Sequence, residues 1–279
     1  MDEERTEAWW ARRAWALLSA VRERAPLVQC ITNLVSMDIA ANALTAAGAS
    51  PAMLHSLREI PDFTPRCDAV YINVGTLSED WLPSMRAAAS AGRPWVLDPV
   101  AAAASGFRME ACLQLLSRSA PPSSGATRPR SSPSPRAQIT PPSRVWTLKY
   151  FPKKNKLCPT VVRGNASEIL ALASSSDNSS FKGVDSSHDS GEALQAAKAL
   201  ARSSRAVIAV SGAVDFITDG EQVFSTSNAA CALAVIGLAG EIGMESAKGP
   251  ASLRMHLIDA LYELDEQIVT SGVKIALVP

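Results

Sequence analysis

Short apolar runs alternate along the chain with longer stretches in which apolar residues recur at helical spacing. The apolar runs, which are typical of strands buried on both faces, occupy residues 28–31, 68–74, 95–97, 160–162 and 206–210. Helical spacing predicts helices over residues 5–24, 37–47, 81–91, 166–173, 191–203 and 229–268, the last broken near Lys248-Gly249-Pro250. Residues 216–224 are predicted to form a hairpin with Asp219-Gly220 at its turn. This alternation predicts an α/β fold, with a mainly parallel sheet and helices on both faces.

One segment, residues 118–158, interrupts this pattern. It is rich in proline and serine and contains nine Lys or Arg but no Asp or Glu, which leaves the rest of the chain with 18 basic and 27 acidic residues. Such a composition buries too little apolar surface to offset the entropy of ordering, so we predict a disordered insertion in a single domain over residues 1–279. We interpret it as an insertion without a selected function, such as translated intron. The alternative is a basic arm that binds nucleic acid or anionic lipid.

Composition and charge exclude several classes of protein. Of the 279 residues, 47% are apolar, enough for one substantial core, yet no apolar run reaches the length of a membrane span. The first five residues are acidic overall and do not resemble a signal peptide, and no pair among the five cysteines has metal-ligand spacing. The net charge is zero. We therefore expect a cytoplasmic protein with reduced thiols that binds neither membranes nor nucleic acid.

Polar residues follow five of the apolar runs, at the point where each predicted strand ends. They lie within residues 29–33, 73–76, 97–100, 163–165 and 210–212. One such sequence is ordinary turn chemistry. The carboxyl ends of parallel strands, however, lie at the same edge of a sheet, where open α/β sheets bind ligands. Five of them together predict a cleft along that edge.

The residue types at these strand ends suit a phosphate and a hard cation. Arg163 offers phosphate a planar fork of donors, and the hydroxyl of Ser211 can donate to a phosphate oxygen. Asp98 and Glu168 are the natural pair for magnesium, which takes carboxylates together with substrate phosphates and water. Each also has a structural interpretation: Asp98 as a turn or helix cap, Glu168 as a solvated first-turn residue favoured by the helix dipole, and Ser211 as a turn residue.

Several blocks of the chain match a known family. They are VLDPV at residues 96–100, VVRGNASEILAL at 161–172 and VIAVSGAVDFITDGEQVFSTS at 207–227, with further matches over 26–54, 69–77 and 233–264. By these residues the chain resembles hydroxyethylthiazole kinase, a thiamine-pathway enzyme of the ribokinase-like superfamily, and its plant members in particular. The resemblance implies an α/β, ribokinase-like fold and covers most of the chain outside residues 118–158.

The resemblance also implies an activity and a site. The family transfers the γ-phosphate of ATP to the hydroxyl of 5-(2-hydroxyethyl)-4-methylthiazole in thiamine biosynthesis, with magnesium, in a homotrimer whose sites lie at subunit interfaces. Carried over by motif, the ATP-binding residues are Arg163, Asn165 and Ser211, the last usually threonine in the family. The magnesium-binding residues are Asp98 and Glu168. The residues that line the thiazole pocket are Asn33, Val35 and Met53.

One motif of the family is missing from this chain. The family has a glycine-rich turn after the hairpin, whose amides form an anion hole and whose cysteine lies beside the substrate hydroxyl, whereas residues 227–232 (SNAACA) contain no glycine. Because the later helices already match residues 233–264, the simplest account is loss of the turn and of the helix that it opens. One hypothesis is an active kinase in which Cys231, the remaining candidate for the catalytic residue, replaces the lost turn. The other is a non-catalytic or mis-spliced family member that retains at most ligand binding.

Overall fold

The computed structural model describes residues 6–116, 159–174, 190–221 and 227–276. Its strands are β1 (Leu27–Ile31), β2 (Ser50–Ala52), β3 (Ala69–Asn73), β4 (Trp95–Asp98), β5 (Val161–Asn165), β6 (Val207–Ser211) and β7 (Phe216–Thr218). They form one seven-stranded sheet in the order β2-β1-β3-β4-β5-β6-β7. Every neighbouring pair is parallel except β6 and β7, which are antiparallel. The predicted mainly parallel sheet is therefore confirmed.

Helices connect the strands, and local sequence sets where several of them begin. Within the described ranges they are α1 (Glu7–Arg24), α2 (Met37–Ala46), α3 (Ile60–Phe63), α4 (Trp81–Ala89), α5 (Gly106–Leu116), α6 (Ala166–Ala173), α7 (Leu194–Ser204), α8 (Ser227–Ser246), α9 (Pro250–Glu263) and α10 (Glu266–Gly272). α1 begins after Thr6, whose hydroxyl accepts the N–H of Trp9 at 3.2 Å. α6 begins with a capping box in which Asn165 and Glu168 each accept the other's backbone N–H.

Neighbouring side chains of β6 enter different cores, which shows that the sheet is covered on both faces. Ile208 and Val210 belong to the core that the sheet forms with α4 to α7, whereas Val207 and Ala209 belong to the core formed with α1 and α8 to α10. Buried side chains of the first core include Met85, Leu115 and Ile169, and those of the second include Trp10, Leu261 and Val269. Because both faces are buried, the central strands are nearly continuous apolar runs.

Some elements differ from the sequence prediction. β2 and α5 lie outside the predicted elements. Residues 216–218 form β7, which pairs antiparallel with β6, because the outer edge of β6 offers unpaired backbone groups to the next segment of chain. Residues 222–224, which form the second half of the predicted hairpin, lie outside the described residues, and so does the predicted insertion at residues 118–158.

The longest helix of the described chain, α8, is very apolar. Its residues Asn228–Ser246 are long and apolar enough to cross a membrane by length and composition alone. α8 packs against α1 and α9, however, and contributes Cys231, Leu238 and Ala239 to a core. A core helix of a soluble protein has the same composition, so the apolar sequence of α8 is weak evidence for a membrane span.

Candidate active site

The register of the sheet brings polar strand ends together at one edge. Asn73 at the end of β3 lies opposite Asp98 at the end of β4, and Asn165 at the end of β5 lies opposite Ser211 at the end of β6. Asn33 follows β1, which pairs with β3. The carboxyl ends of these parallel strands therefore form a continuous polar edge, at the place where open α/β sheets bind ligands.

Asp98 is a buried carboxylate whose two oxygens differ. Only 6% of its surface is exposed. Oδ2 accepts hydrogen bonds from the Tyr71 hydroxyl at 2.8 Å and from Asn73 Nδ2 at 2.9 Å. Oδ1 is buried as well, and no hydrogen-bond partner for it lies among the described residues. Burial raises the pKa of Asp98, while Arg163 and the two hydrogen bonds oppose that rise. Oδ1 is therefore an acceptor that a bound ligand could use.

Asn73 connects Asp98 to the loop that follows β1. Its Oδ1 accepts from Asn33 Nδ2 at 2.7 Å and from the backbone N–H of Gly75 at 2.8 Å. Asn33 Oδ1 accepts the backbone N–H of Val35 at 3.0 Å, which shapes the loop. A Cβ on Gly75 would lie 2.8 Å from Asn33 Nδ2. Glycine is therefore needed where the loops after β1 and β3 approach each other.

Glu168 is a buried capping residue that also contacts the loop after β4. Its backbone N–H donates to Asn165 Oδ1 and its Oε2 accepts the N–H of Asn165, both at 2.9 Å. Its Oε1 accepts the N–H of Ala101 at 2.8 Å, and Ala101 has a φ of 50°, which is strained for a residue with a side chain. Burial raises the pKa of Glu168, the two backbone N–H groups and Arg163 lower it, and the charge of Asp98 raises it further. Because Glu168 is only 7% exposed, it is not a solvated first-turn residue.

Arg163 and Ser211 stand on neighbouring strands, β5 and β6. Arg163 is exposed, and its positive charge opposes the rise in pKa of both Asp98 and Glu168. Its guanidinium is therefore within electrostatic reach of the two carboxylates while its donors face solvent. Ser211 is half-buried, and its hydroxyl donates to the carbonyl oxygen of Gly164 at 3.4 Å. The backbone of both residues is fixed in a strand, and both side chains can contact a ligand at the sheet edge.

A cleft of about 800 Å³ begins at Gly212, the residue after Ser211. It runs between β7, α8 and residues 272–276, and its lining residues include Val214, Phe216, Leu233, Leu238, Glu241 and Lys274. Most of these side chains are apolar. Its volume lies within the range of small-molecule sites.

Three other predicted residues lie in different surroundings. Val35 is 86% exposed and Met53 is half-buried, so within the described part of one chain they do not enclose a pocket. Cys231 is buried in the core that α8 forms with α1, and burial raises its pKa to about 11, an effect that Arg13 opposes. A buried, protonated thiol is a poor nucleophile and a poor base. The structure therefore gives Cys231 a packing role.

Tyr71 and Arg108 contact the site but are absent from the sequence prediction. Arg108 of α5 donates to the backbone oxygens of Gly75 at 2.9 Å and Val100 at 3.3 Å, so it joins the loops after β3 and β4. Tyr71 precedes Asn73 by two residues and therefore shares its face of β3, a signal that is present in the sequence. No sequence pattern pointed to Arg108, because its helix, α5, is not among the predicted elements.

The site offers a hard cation two carboxylates rather than a closed cage. Among the described residues, no group of three or more His, Cys, Asp or Glu is placed to hold a metal. Asp98 Oδ1 suits direct coordination, and Glu168, whose oxygens each already accept one N–H, suits a metal-bound water. Magnesium usually takes one or two carboxylates and completes its shell with phosphates and water. The residues present therefore fit a magnesium ion whose other ligands would be water or phosphate oxygens.

Comparison with known proteins identifies relatives over the whole chain. The model of the hydroxyethylthiazole kinase family matches residues 18–122 and 153–236. Hydroxyethylthiazole kinase of Zea mays is 62% identical over 313 aligned positions that cover 100% of this chain and 98% of the maize protein. The Arabidopsis thaliana protein of the same name is 45% identical and covers 99% of both chains. The structure of hydroxyethylthiazole kinase from Pyrococcus horikoshii OT3 superposes with a TM-score of 0.71 and 29% identity, covering 96% of this chain and 100% of its own.

The alignments with these relatives contain more positions than the chain has residues. The 313 positions of the maize alignment exceed the 279 residues of this chain by 34, so the maize protein contains residues without a counterpart here. Residues 123–152, which separate the two segments matched by the family model, fall inside the predicted insertion. Both observations agree with a chain that carries one extra segment and lacks another. No relative found supports the non-catalytic alternative.

Proposed function

The chain belongs to the hydroxyethylthiazole kinase family, and we propose that it transfers the γ-phosphate of ATP to the hydroxyl of 5-(2-hydroxyethyl)-4-methylthiazole. The observation that carries this proposal is the free, buried Oδ1 of Asp98 at the sheet edge that also holds Arg163 and Asn33. Phosphoryl transfer depends mainly on positioning and charge stabilisation, which a buried carboxylate beside a cation can supply. This reaction would place the chain in thiamine biosynthesis, in the cytoplasm.

Arg163, Asn165 and Ser211 are the residues assigned to ATP. The exposed guanidinium of Arg163 can pair with two phosphate oxygens at once, and its charge offsets that of the phosphates. Asn165 and Ser211 lie opposite each other in the sheet, so a phosphate group at this edge can reach both side chains. The cleft that begins at Gly212 has room for the remainder of a nucleotide.

Asp98 and Glu168 are the residues assigned to magnesium. When bound, magnesium would neutralise the negative charge of the phosphates. Asp98 presents Oδ1 for this purpose, while Tyr71 and Asn73 hold the other oxygen. Glu168 is held by the backbone N–H groups of Asn165 and Ala101, so its carboxylate is fixed before any ligand arrives.

Asn33, Val35 and Met53 are the residues assigned to the thiazole. The polarisable thioether of Met53 suits an apolar heteroaromatic ring, and Asn33 lies one hydrogen bond from Asn73, beside Asp98. Leu34 and Val35 are 68% and 86% exposed in the isolated chain. Adjacent exposed apolar side chains are typical of interaction sites. A homotrimer in which the neighbouring subunit covers this loop would close the pocket.

The missing glycine-rich turn lowers the rate in this proposal without changing the reaction. Amides at a glycine-rich helix start stabilise the transferring phosphate in the family, and no glycine is available in residues 227–232. Arg163 and the two carboxylates remain. We therefore expect slow turnover rather than none.

Phosphorylation of hydroxyethylthiazole by the purified chain tests the proposed function. ATP- and magnesium-dependent product should form, and Arg163→Ala should lower the rate by about 10²-fold or more. Arg12→Ala removes an exposed arginine of α1 and serves as the matched control, which should keep the wild-type rate. Circular dichroism would establish that all three proteins are folded.

Either of two results would contradict the proposed function. If folded wild-type protein forms no product, the chain is a non-catalytic family member. If Arg163→Ala and Arg12→Ala have the same rate, Arg163 does not act on the phosphates.

A further inference from the structure

A buried polar network surrounds Asp98 on the side away from its free oxygen. The amide of Asn73 uses all four of its hydrogen-bonding positions. Oδ1 accepts from Asn33 Nδ2 at 2.7 Å and from the N–H of Gly75 at 2.8 Å. Nδ2 donates to Tyr71 Oη and to Asp98 Oδ2, both at 2.9 Å. A saturated amide of this kind has no freedom to turn, so it holds its partners in one arrangement.

Tyr71, two residues before Asn73 on the same face of β3, completes this arrangement. Its hydroxyl donates its proton to Asp98 Oδ2 at 2.8 Å and accepts from Asn73 Nδ2. Oδ2 of Asp98 thereby receives two donors, while Oδ1, which is buried, receives none among the described residues. Rotation of the carboxylate would break both hydrogen bonds to Oδ2 within a buried site, which is costly. Asp98 is therefore held in one orientation, in which the protein binds Oδ2 and leaves Oδ1 without a donor among the described residues.

We propose that Tyr71, with Asn73, is a positioning residue that restricts Asp98 to coordination of magnesium through Oδ1 alone. This inference rests on the magnesium assignment of the function proposed above. Tyr71 is assigned to neither ATP nor the thiazole, so its effect is exerted through Asp98. Partners that orient a metal ligand in this way typically contribute 10- to 100-fold in metal affinity.

Binding of Mn²⁺ alone, without nucleotide, tests the role of Tyr71 independently of catalysis. Electron paramagnetic resonance of free Mn²⁺ would be followed during titration with wild type, Tyr71→Phe and Asp98→Asn. The control Tyr262→Phe makes the same chemical change at a tyrosine that is 73% exposed. We expect wild type and Tyr262→Phe to bind equally, Tyr71→Phe to bind about 10- to 100-fold more weakly, and Asp98→Asn to lose binding. Equal melting temperatures of wild type and Tyr71→Phe would exclude general unfolding as the cause.

The outcomes separate the positioning role from the proposed reaction. If Tyr71→Phe binds Mn²⁺ as tightly as Tyr262→Phe, or if the wild type binds no Mn²⁺, the positioning role is wrong. If Tyr71→Phe does not fold, Asn73→Ser removes the other donor to Oδ2 and should weaken Mn²⁺ binding by a similar factor. If the Mn²⁺ affinities follow the expected order but no protein phosphorylates the thiazole, the proposed reaction fails while the positioning role stands.

Discussion

Asp98 is a residue whose burial lowers the stability of the fold. Its pKa is raised above the ordinary value mainly by loss of solvent, and Oδ1 has no hydrogen-bond partner among the described residues. Ionised Asp98 is therefore less favourable in the folded chain than in the unfolded chain. We predict that Asp98→Asn raises the free energy of unfolding at pH 7 by about 1–2 kcal/mol, measured by urea denaturation.

The pH dependence of that difference identifies its cause. Because the folded pKa of Asp98 lies above the unfolded pKa, the wild type regains stability as the pH falls through the folded pKa. The advantage of Asp98→Asn should therefore be largest above the folded pKa and absent below the unfolded pKa, at about pH 4. Asp80→Asn, at an exposed carboxylate, is the matched control and should change stability little at either pH. A gain for Asp98→Asn that does not vary with pH would show that ionisation is not its source.

The chemistry of single residues was more predictable from sequence than their orientation. Arg163 and Asp98 follow apolar runs, and that position alone places them at the carboxyl edge of a parallel sheet. Which oxygen of Asp98 stays free depends on Tyr71 and Asn73 of the neighbouring strand, and thus on the register between β3 and β4. Register is a property of paired strands, so a single run of residues cannot reveal it.

At the scale of elements, the contact between α8 and α9 depends on a glycine. A Cβ on Gly243 would lie 2.8 Å from the backbone nitrogen of Leu257 and 3.0 Å from the carbonyl carbon of His256. Backbone atoms cannot rotate away, so the two helices would have to separate. We predict that Gly243→Ala lowers the free energy of unfolding by about 1–3 kcal/mol, measured by chemical denaturation, although alanine favours helix.

Gly237 provides the matched control for Gly243 because it lies in the same helix. A Cβ on Gly237 would meet nothing within 4 Å. Gly237→Ala should therefore report only the higher helix propensity of alanine and raise the free energy of unfolding by about 0.5–1 kcal/mol. If both alanine variants were stabilised, the close approach of α8 and α9 at Gly243 would be disproved.

Elements with strong hydrophobic periodicity were predicted from the sequence. Elements whose formation depends on tertiary contacts were missed. β3 and β6 are apolar runs that a buried parallel strand requires, and both are observed. β2 is a three-residue edge strand that begins Ser50-Pro51, a sequence without strand periodicity. The strand forms because β1 offers it an unpaired edge. The pairing of β7 with β6 likewise depends on the free edge of β6, which the sequence of β7 alone does not reveal.

At the scale of the whole molecule, the missing segment and the cleft beside α8 occur in the same part of the chain. The maize relative has residues without a counterpart here, and comparison with the family motif places the lost turn between Asn228 and Ala229, in the first turn of α8. The cleft of about 800 Å³ is lined by residues of β7 and α8, the elements on either side of residues 222–226. A segment inserted at the start of α8 would therefore enter next to this cleft.

Restoring the missing segment tests how far its loss lowers the rate of phosphorylation. We predict that a chimera carrying the family's glycine-rich turn and the helix that it opens between Asn228 and Ala229 phosphorylates hydroxyethylthiazole about 10²–10³-fold faster than this chain, because preorganised amides stabilise the transferring phosphate. A Gly/Ser insertion of the same length is the matched control: it adds glycine amides without a helix to orient them and should leave the rate unchanged. Steady-state turnover at saturating ATP and magnesium measures the difference. If the chimera is no faster than the wild type, the existing start of α8 already serves the phosphate, and the missing turn is not what limits this enzyme.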